Sequence, residues 1–176
     1  MSDFPTFYSL LATRYSLSMF FGKTYFSFHY GTYGTEELVK VAGEHGVSSL
    51  ALTNINNTCD AWDFVDFCRQ QNIKPILGVE IRNAHKFLYI LLAKNNKGFL
   101  EINRYLSEHL QAKKEFPEVD FSKSVMVGNT IGDMEFGRNL GIPINIFIRS
   151  THPLLGVQNP MVDLVYPDLS SFARAL

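Results

Sequence analysis

Residues 48–81 read SSLALTNINNTCDAWDFVDFCRQQNIKPILGVEI, and this stretch decides the fold class. Its two ends, SSLALTN and KPILGVEI, are short apolar runs with the length and residue types of buried strands. Between them, Ala61, Phe64, Val65 and Cys68 recur at the spacing of one helix face. A strand, a helix and a second strand with short connections predict a parallel pair that a helix covers.

The same alternation continues on both sides of this stretch. A strand at about Phe21–Phe28 precedes it, and the run FLYILLA at 87–93 follows it after a short turn. Further apolar runs at 124–128 and Ile144–Ile148 flank another amphipathic stretch. We therefore expect an α/β fold, with a mainly parallel open sheet of about six strands and flanking helices.

Composition excludes several classes of function. The chain has 176 residues, of which 46% are hydrophobic, and its 16 Lys and Arg nearly balance its 17 Asp and Glu. A chain without net positive charge gives no strong signal for nucleic acid or anionic lipid. Cys59 and Cys68 lack a zinc-site spacing and are expected to be buried thiols of a cytoplasmic protein. Residues 1–18 read as an N-terminal extension without signal-peptide features, and no apolar run reaches membrane-spanning length.

A long part of the chain resembles a known domain. Residues 19–115, notably KTYFSFHYGTYGTEELVKVAGEHGVSSLALTN and YILLAKNNKGF, are similar to the start of the PHP domain of the bacterial replicative DNA polymerase III alpha subunit. The resemblance covers about half of such a domain. It implies replication proteins as partners and a cytoplasmic location.

The resemblance also implies where metal ligands would stand. Family members with phosphoesterase chemistry bind several cations through His, Asp and Glu at strand ends. Their first histidine pair falls here on Phe21 and Lys23, and a later Asp-His pair falls on Asn54 and Ile55. Phenyl, ammonium and hydrocarbon groups cannot bind a metal, and an amide is a poorer ligand than a carboxylate. Glu80 alone keeps an acid, as a vestigial metal position, so we expect a catalytically inactive module and no cofactor.

The end of the chain resembles a second family. Residues 110–176, notably LQAKKEFPEVDFSKSVMVGNTIGDMEFGRNLGIPINIFI, are similar to the end of a haloacid-dehalogenase-type phosphatase that acts on histidinol phosphate or heptose bisphosphate. That resemblance implies a magnesium site with two late acids. Asn129 replaces the first, and Asp133 stands at the second. Asp133 would be a vestigial, weak Mg²⁺ position, because no upstream Asp-x-Asp supplies a nucleophile.

Three hypotheses of function follow. The chain is an inactive PHP-like module, a remnant of a magnesium-dependent phosphate-monoester hydrolase that lacks its nucleophile, or a recombined or artificial fusion without selected function. The predicted organisation is an extension at 1–18, a partial PHP-like segment at 19–115 and a phosphatase-like segment at 116–176, packed as one globule. Oligomeric state is not predicted.

Simpler structural roles compete with these site assignments. Glu80 ends an apolar strand, and a buried carboxylate needs a partner, so we expect a structural ion pair with Lys23. Asp133 lies in the first turn of a helix, where an acid is favourable in any case. The histidines have no metal-ligand spacing. Three further acids are three residues apart and are expected to form a solvated helix face: Asp60, Asp63 and Asp66.

Overall fold

The computed structural model describes residues 19–149 and 159–175. These residues form two compact units, one ending at Glu118 and the other beginning at Val119. The first unit has a four-stranded sheet and the second a three-stranded sheet. The α/β class is confirmed, but the prediction of one open sheet of about six strands was wrong. The extension at 1–18 and His152 lie outside the described residues.

The first unit is a mixed sheet with three helices. Strand order is β1-β2-β3-β4, in which β1, β2 and β3 are parallel and β4 is antiparallel to β3. The elements along the chain are β1 (Met19–Gly22), α1 (Thr35–Glu44), β2 (Ser49–Leu52), α2 (Ala61–Gln70), β3 (Lys74–Asn83), β4 (Lys86–Leu92) and α3 (Asn96–Gln111). None of the helices in the described part of the chain is long and apolar enough to cross a membrane.

Two apolar clusters form the core of the first unit. One packs α1 and α2 against β2 and consists of Val39, Ala42, Leu50, Leu52, Phe64, Cys68 and Ile73. The other packs α3 against β3 and consists of Val79, Ile81, Ile102, Leu106 and Phe116. Each large side chain buried in this way contributes about 1.5–3 kcal/mol to folding. The clusters fix the sheet and thereby the ends of its parallel strands.

The first strand is shorter than predicted. It ends at Gly22, whereas the apolar pattern indicated a strand to Phe28. The chain turns instead, and two backbone hydrogen bonds close the turn. The amide of Ser27 donates to the carbonyl of Thr24 at 2.8 Å, and the amide of Gly31 donates to the carbonyl of Ser27 at 2.9 Å. A side chain at Gly31 would place its Cβ 1.9 Å from the Thr24 carbonyl oxygen. The turn therefore requires glycine at this position.

Side chains of β3 and β4 bind the segment that follows α3. The side-chain amide of Asn83 donates to the carbonyl of Phe116 and accepts from its amide, both at 2.8 Å. The Tyr89 hydroxyl donates to the carbonyl of Pro117 at 3.1 Å. These bonds tie the chain after α3 to β3 and β4 as a non-strand segment. The next strand then begins a separate sheet.

The second unit is a parallel three-stranded sheet in the order β5-β6-β7. After a short 3-10 helix at Phe121–Lys123, its elements are β5 (Val125–Gly128), α4 (Ile131–Asn139), β6 (Ile144–Ile148), β7 (Leu164–Tyr166) and α5 (Leu169–Ala175). The strand predicted at Ile144–Ile148 has these same bounds. It is the buried centre of the sheet.

An ion pair stabilises the second unit at one end of its central strand, β6. One guanidinium nitrogen of Arg138 lies 2.7 Å from each carboxylate oxygen of Asp163. The backbone amide of Asn145 also donates to the Asp163 carboxylate at 2.6 Å. The Asn145 amide and the Arg138 guanidinium together hold the pKa of Asp163 below its usual value.

The two cysteines lie in different environments. Cys68 is fully buried in the first core cluster, and burial raises the pKa of its thiol to about 12. Cys59 is exposed just before α2, so the expectation that both thiols are buried was wrong for this residue. A position in the loop before the helix, outside its apolar face, explains the difference.

Candidate functional site

Glu80 lies at the centre of a charged cluster beside the end of β2. Its side chain is only 4% exposed. Lys23, directly after β1, places its ammonium nitrogen 2.8 Å from one carboxylate oxygen. Arg82 donates from its Nε to the other. Lys23 reaches past the end of β2, since β1 and β3 flank that strand and are not neighbours.

Arg82 is a member of this cluster that the sequence analysis missed. Its Nη1 donates to the Tyr30 hydroxyl at 2.9 Å, and its guanidinium carbon lies 4.3 Å from the centre of the Tyr30 ring. The spacing from Glu80 is the signal that could have revealed it, because residues two apart on a strand point to the same face. One buried carboxylate therefore neutralises one of two neighbouring cations.

Asn54 is the centre of a second, buried polar network. Its side-chain oxygen accepts from the amide of Thr24 at 2.9 Å and from the Ser27 hydroxyl at 2.7 Å. Its nitrogen donates to Asp60 at 2.8 Å. The other oxygen of Asp60 accepts from the hydroxyls of Thr24 and Thr35, at 2.7 and 2.8 Å. All five residues are buried, and a network whose members are bonded in this way rigidifies its surroundings.

Asp60 therefore corrects one expectation. It was predicted to lie on a solvated helix face, but it is 2% exposed and precedes α2 at the N-cap position. Two hydroxyls and one amide satisfy its carboxylate, which makes burial tolerable. Asp63 and Asp66 are exposed as expected, and Asp66 lies 3.4 Å from Arg69.

Ile55 and its neighbours join the two networks. The amide of Ile55 donates to the Ser27 hydroxyl at 3.0 Å, and Ile55 makes a parallel bridge with Glu80. The amide of Asn56 donates to the Glu80 carbonyl at 2.9 Å. The side chain of Asn56 then bonds both backbone groups of Arg82. The backbone of Glu80 and Arg82 is thus held on the side that faces the end of β2.

The residues at the metal positions do not fit a multi-metal centre. Phe21 has no lone pair, and the ammonium of Lys23 occupies Glu80. The Asn54 oxygen already accepts hydrogen bonds from Thr24 and Ser27. Within residues 19–149 and 159–175, no three His, Cys, Asp or Glu side chains are grouped so that they could hold a metal ion.

In the second unit, Asp133 caps a helix. Its carboxylate accepts from the amides of Asn129 and Thr130, both at 3.0 Å, while the Thr130 hydroxyl accepts from the Asp133 amide at 3.2 Å. This reciprocal arrangement is a capping box at the start of α4. It accounts for an acid at this position without a metal ion.

Comparison with known proteins gives a family for most of the described first unit. The family model described as the PHP domain matches residues 23–133, which is more than half of the chain. The matched range continues past residue 116, where the phosphatase-like segment was expected to begin. The resemblance of residues 116–176 to phosphatases stays a prediction.

Two bacterial polymerases are similar to part of this chain. The error-prone DNA polymerase of Symbiobacterium thermophilum is 34% identical over 82 residues, which are 47% of this chain and 8% of the polymerase. The DNA polymerase III subunit alpha of Ureaplasma parvum is 28% identical over 105 residues, which are 59% of this chain and 11% of that subunit. The matched region thus spans about a tenth of the length of each relative.

Among solved structures, an amidohydrolase from Chromobacterium violaceum aligns with 54% of this chain and 35% of its own. The TM-score is 0.38 and the sequence identity 17%.

Proposed function

The chain belongs to the PHP domain family, and we propose that its first unit is a PHP module that does not hydrolyse phosphate esters. The observation that carries this proposal is the ion pair between Lys23 and Glu80. An ammonium group occupies the one acid that the family pattern retains at the metal site. A cation that is part of the protein cannot bind and ionise water as a metal ion does.

The buried network around Asn54 supports the same proposal. Metal-dependent hydrolysis needs ligands with lone pairs aimed at the ion and an open position for water. Asn54 and Asp60 instead direct their polar atoms at each other and at Thr24. Such mutual bonds stabilise the turn after β1, and opening them for a metal ion would leave buried groups unpaired.

An assay on an aryl phosphate tests this proposal. We expect no turnover above background with added Mg²⁺, Mn²⁺ or Zn²⁺, because the residues at the metal positions are poor ligands and no Asp-x-Asp supplies a nucleophile. The comparison variant is Glu80→Gln, and the control is Glu101→Gln, a partly exposed position of α3 whose carboxylate pairs with Arg104. Metal-dependent turnover that a chelator abolishes, and that Glu80→Gln lowers while Glu101→Gln does not, would refute the proposal.

We also propose that the module works beside replication proteins. This rests on the two polymerase relatives, of which the matched region is a small part. A tagged chain expressed in its native host should co-purify with components of the replicative polymerase, identified by mass spectrometry. If no such component is enriched over a sample that carries the tag alone, this second proposal is wrong.

The second unit gives no specific support for a phosphatase remnant. The capping box uses the Asp133 carboxylate, and Asn129 contributes a backbone amide to it. A weak, largely hydrated Mg²⁺ at Asp133 remains our proposal for that residue, since one carboxylate can hold such an ion. Ion binding at Asp133 is measured by the paramagnetic broadening of its amide NMR signal when Mn²⁺ is added. If millimolar Mn²⁺ causes no broadening, the proposal is wrong.

A further inference from the structure

The segment after β1 exposes an unusual number of aromatic rings. Residues 25–33, called here the aromatic segment, carry five rings that are each more than 40% exposed: Tyr25, Phe26, Phe28, Tyr30 and Tyr33. Phe28 reaches 79%. Single exposed apolar residues are ordinary, but five large exposed rings within nine residues make this segment a candidate binding surface.

The backbone under these rings is held firmly. Buried Thr24 and Ser27 are tied to Asn54. The amide of Tyr25 donates to the carbonyl of Tyr33 at 2.9 Å, and the Asn57 side chain donates to the carbonyl of Phe26 at 3.1 Å. A partner would find the rings already in position. Pre-organisation of this kind lowers the entropic cost of binding.

A cavity lies between the aromatic segment and the helices α1 and α2. It is a groove that is largely open to solvent, with a volume of about 570 Å³. The rings of Tyr25 and Phe26 line one part, with their centroids 4.7 Å apart. Helix α1 and helix α2 line the rest, and their charged residues at the cavity are Glu36, Glu37, Lys40 and Asp63.

The charges identify the class of occupant. Three carboxylates and one ammonium line the cavity, so it attracts cations and repels phosphate groups. Aromatic faces beside carboxylates suit a guanidinium group, which stacks on rings and forms two parallel bonds to a carboxylate. We propose that this groove binds an arginine-bearing segment of a partner protein. The proposal holds whether or not the chain hydrolyses phosphate esters.

Helix stability explains only part of this arrangement. Glu36 and Glu37 lie in the first turn of α1, where acids are favourable to the helix dipole. The same effect accounts for Asp63, which lies in the first turn of α2, but it does not account for the exposed rings of Tyr25 and Phe26 that line the same cavity. The combination of a cavity, rings and acids from two helices is what points to a ligand.

Fluorescence anisotropy with a labelled peptide tests the proposal. The probe is a short amidated peptide of alternating arginine and leucine, and the comparison peptide has glutamate in place of arginine. The site variant is Glu36→Gln/Asp63→Asn. The matched control is Glu108→Gln/Glu115→Gln, which removes the same charge from exposed positions of the same unit. A third variant, Phe26→Ser, leaves the charge unchanged.

We expect the wild type to bind the basic peptide and not the acidic one. The site variant should weaken binding by about tenfold or more, and the control by less than about twofold. Phe26→Ser should also weaken it, with circular dichroism verifying the fold. The proposal is overturned if the wild type does not bind at millimolar peptide, or if both double variants lose affinity equally. It is also overturned if sedimentation shows that the wild type is a dimer and that Phe26→Ser is a monomer, because a second copy of the chain then covers the rings.

Discussion

Glu80 is a carboxylate buried between two cations, and its energetics are asymmetric. If Lys23 is lost, Glu80 still has Arg82 as a partner. If Glu80 is lost, two cations remain near each other without a counter-charge. Removing one member of a buried pair costs mainly because the other stays desolvated and unpaired. The acid should therefore matter more to stability than either base.

A double-mutant cycle tests this asymmetry at the residue scale. Glu80→Gln should lower the free energy of unfolding by about 3 kcal/mol, and Lys23→Met by distinctly less. The double variant should show a coupling of about 1 kcal/mol or more, because the two side chains are in contact. Urea denaturation of the four proteins gives all the values. Additive effects, or a larger cost for Lys23→Met, would contradict the account of the cluster.

At the scale of elements, the strand pattern of the sequence predicted β2, β3, β4 and β6 well. Each is a short apolar run between clear turn or helix signals, so the local pattern sufficed. The early end of β1 was missed, because the local backbone bonds of the turn are supported by the side chain of Asn54, thirty residues away, which the strand pattern does not reveal. Asp60 was misjudged for the same reason, since its partners Thr24 and Thr35 come from other elements.

From the geometry of the turn after β1, we predict that Gly31 cannot be replaced without loss of stability. Gly31→Ala should strongly destabilise the first unit, because the new Cβ would meet backbone, which cannot move as a side-chain end does. Thermal unfolding measures the effect. Gly132→Ala is the matched control, since there the nearest atom is 3.7 Å away and alanine favours the helix. Equal melting temperatures for Gly31→Ala and wild type would show that the turn relaxes freely.

At the scale of the molecule, the sequence could not reveal the number of sheets. Both parts show the same alternation of strands and helices, and a periodic pattern does not say which strands pair. A set of specific bonds attaches the segment after α3 to the first sheet: Asn83 to Phe116, and Tyr89 to Pro117. Of the bonded residues, Phe116 and Pro117 lie just before Glu118, the last residue of the first unit, so fragments that end on either side of them test where this unit ends.

A fragment of residues 1–118 should fold without the second unit, because the first has its own sheet and its own two apolar clusters. A fragment of residues 1–115 is the control. It lacks Phe116, which is 4% exposed, and so loses about 3–5 kcal/mol, a large part of the stability of a small domain. The longer fragment should give dispersed amide signals in NMR spectra. It should also unfold at a higher urea concentration than the shorter fragment. If the two fragments unfold at the same urea concentration, the Asn83 and Tyr89 bonds do not define the end of this unit.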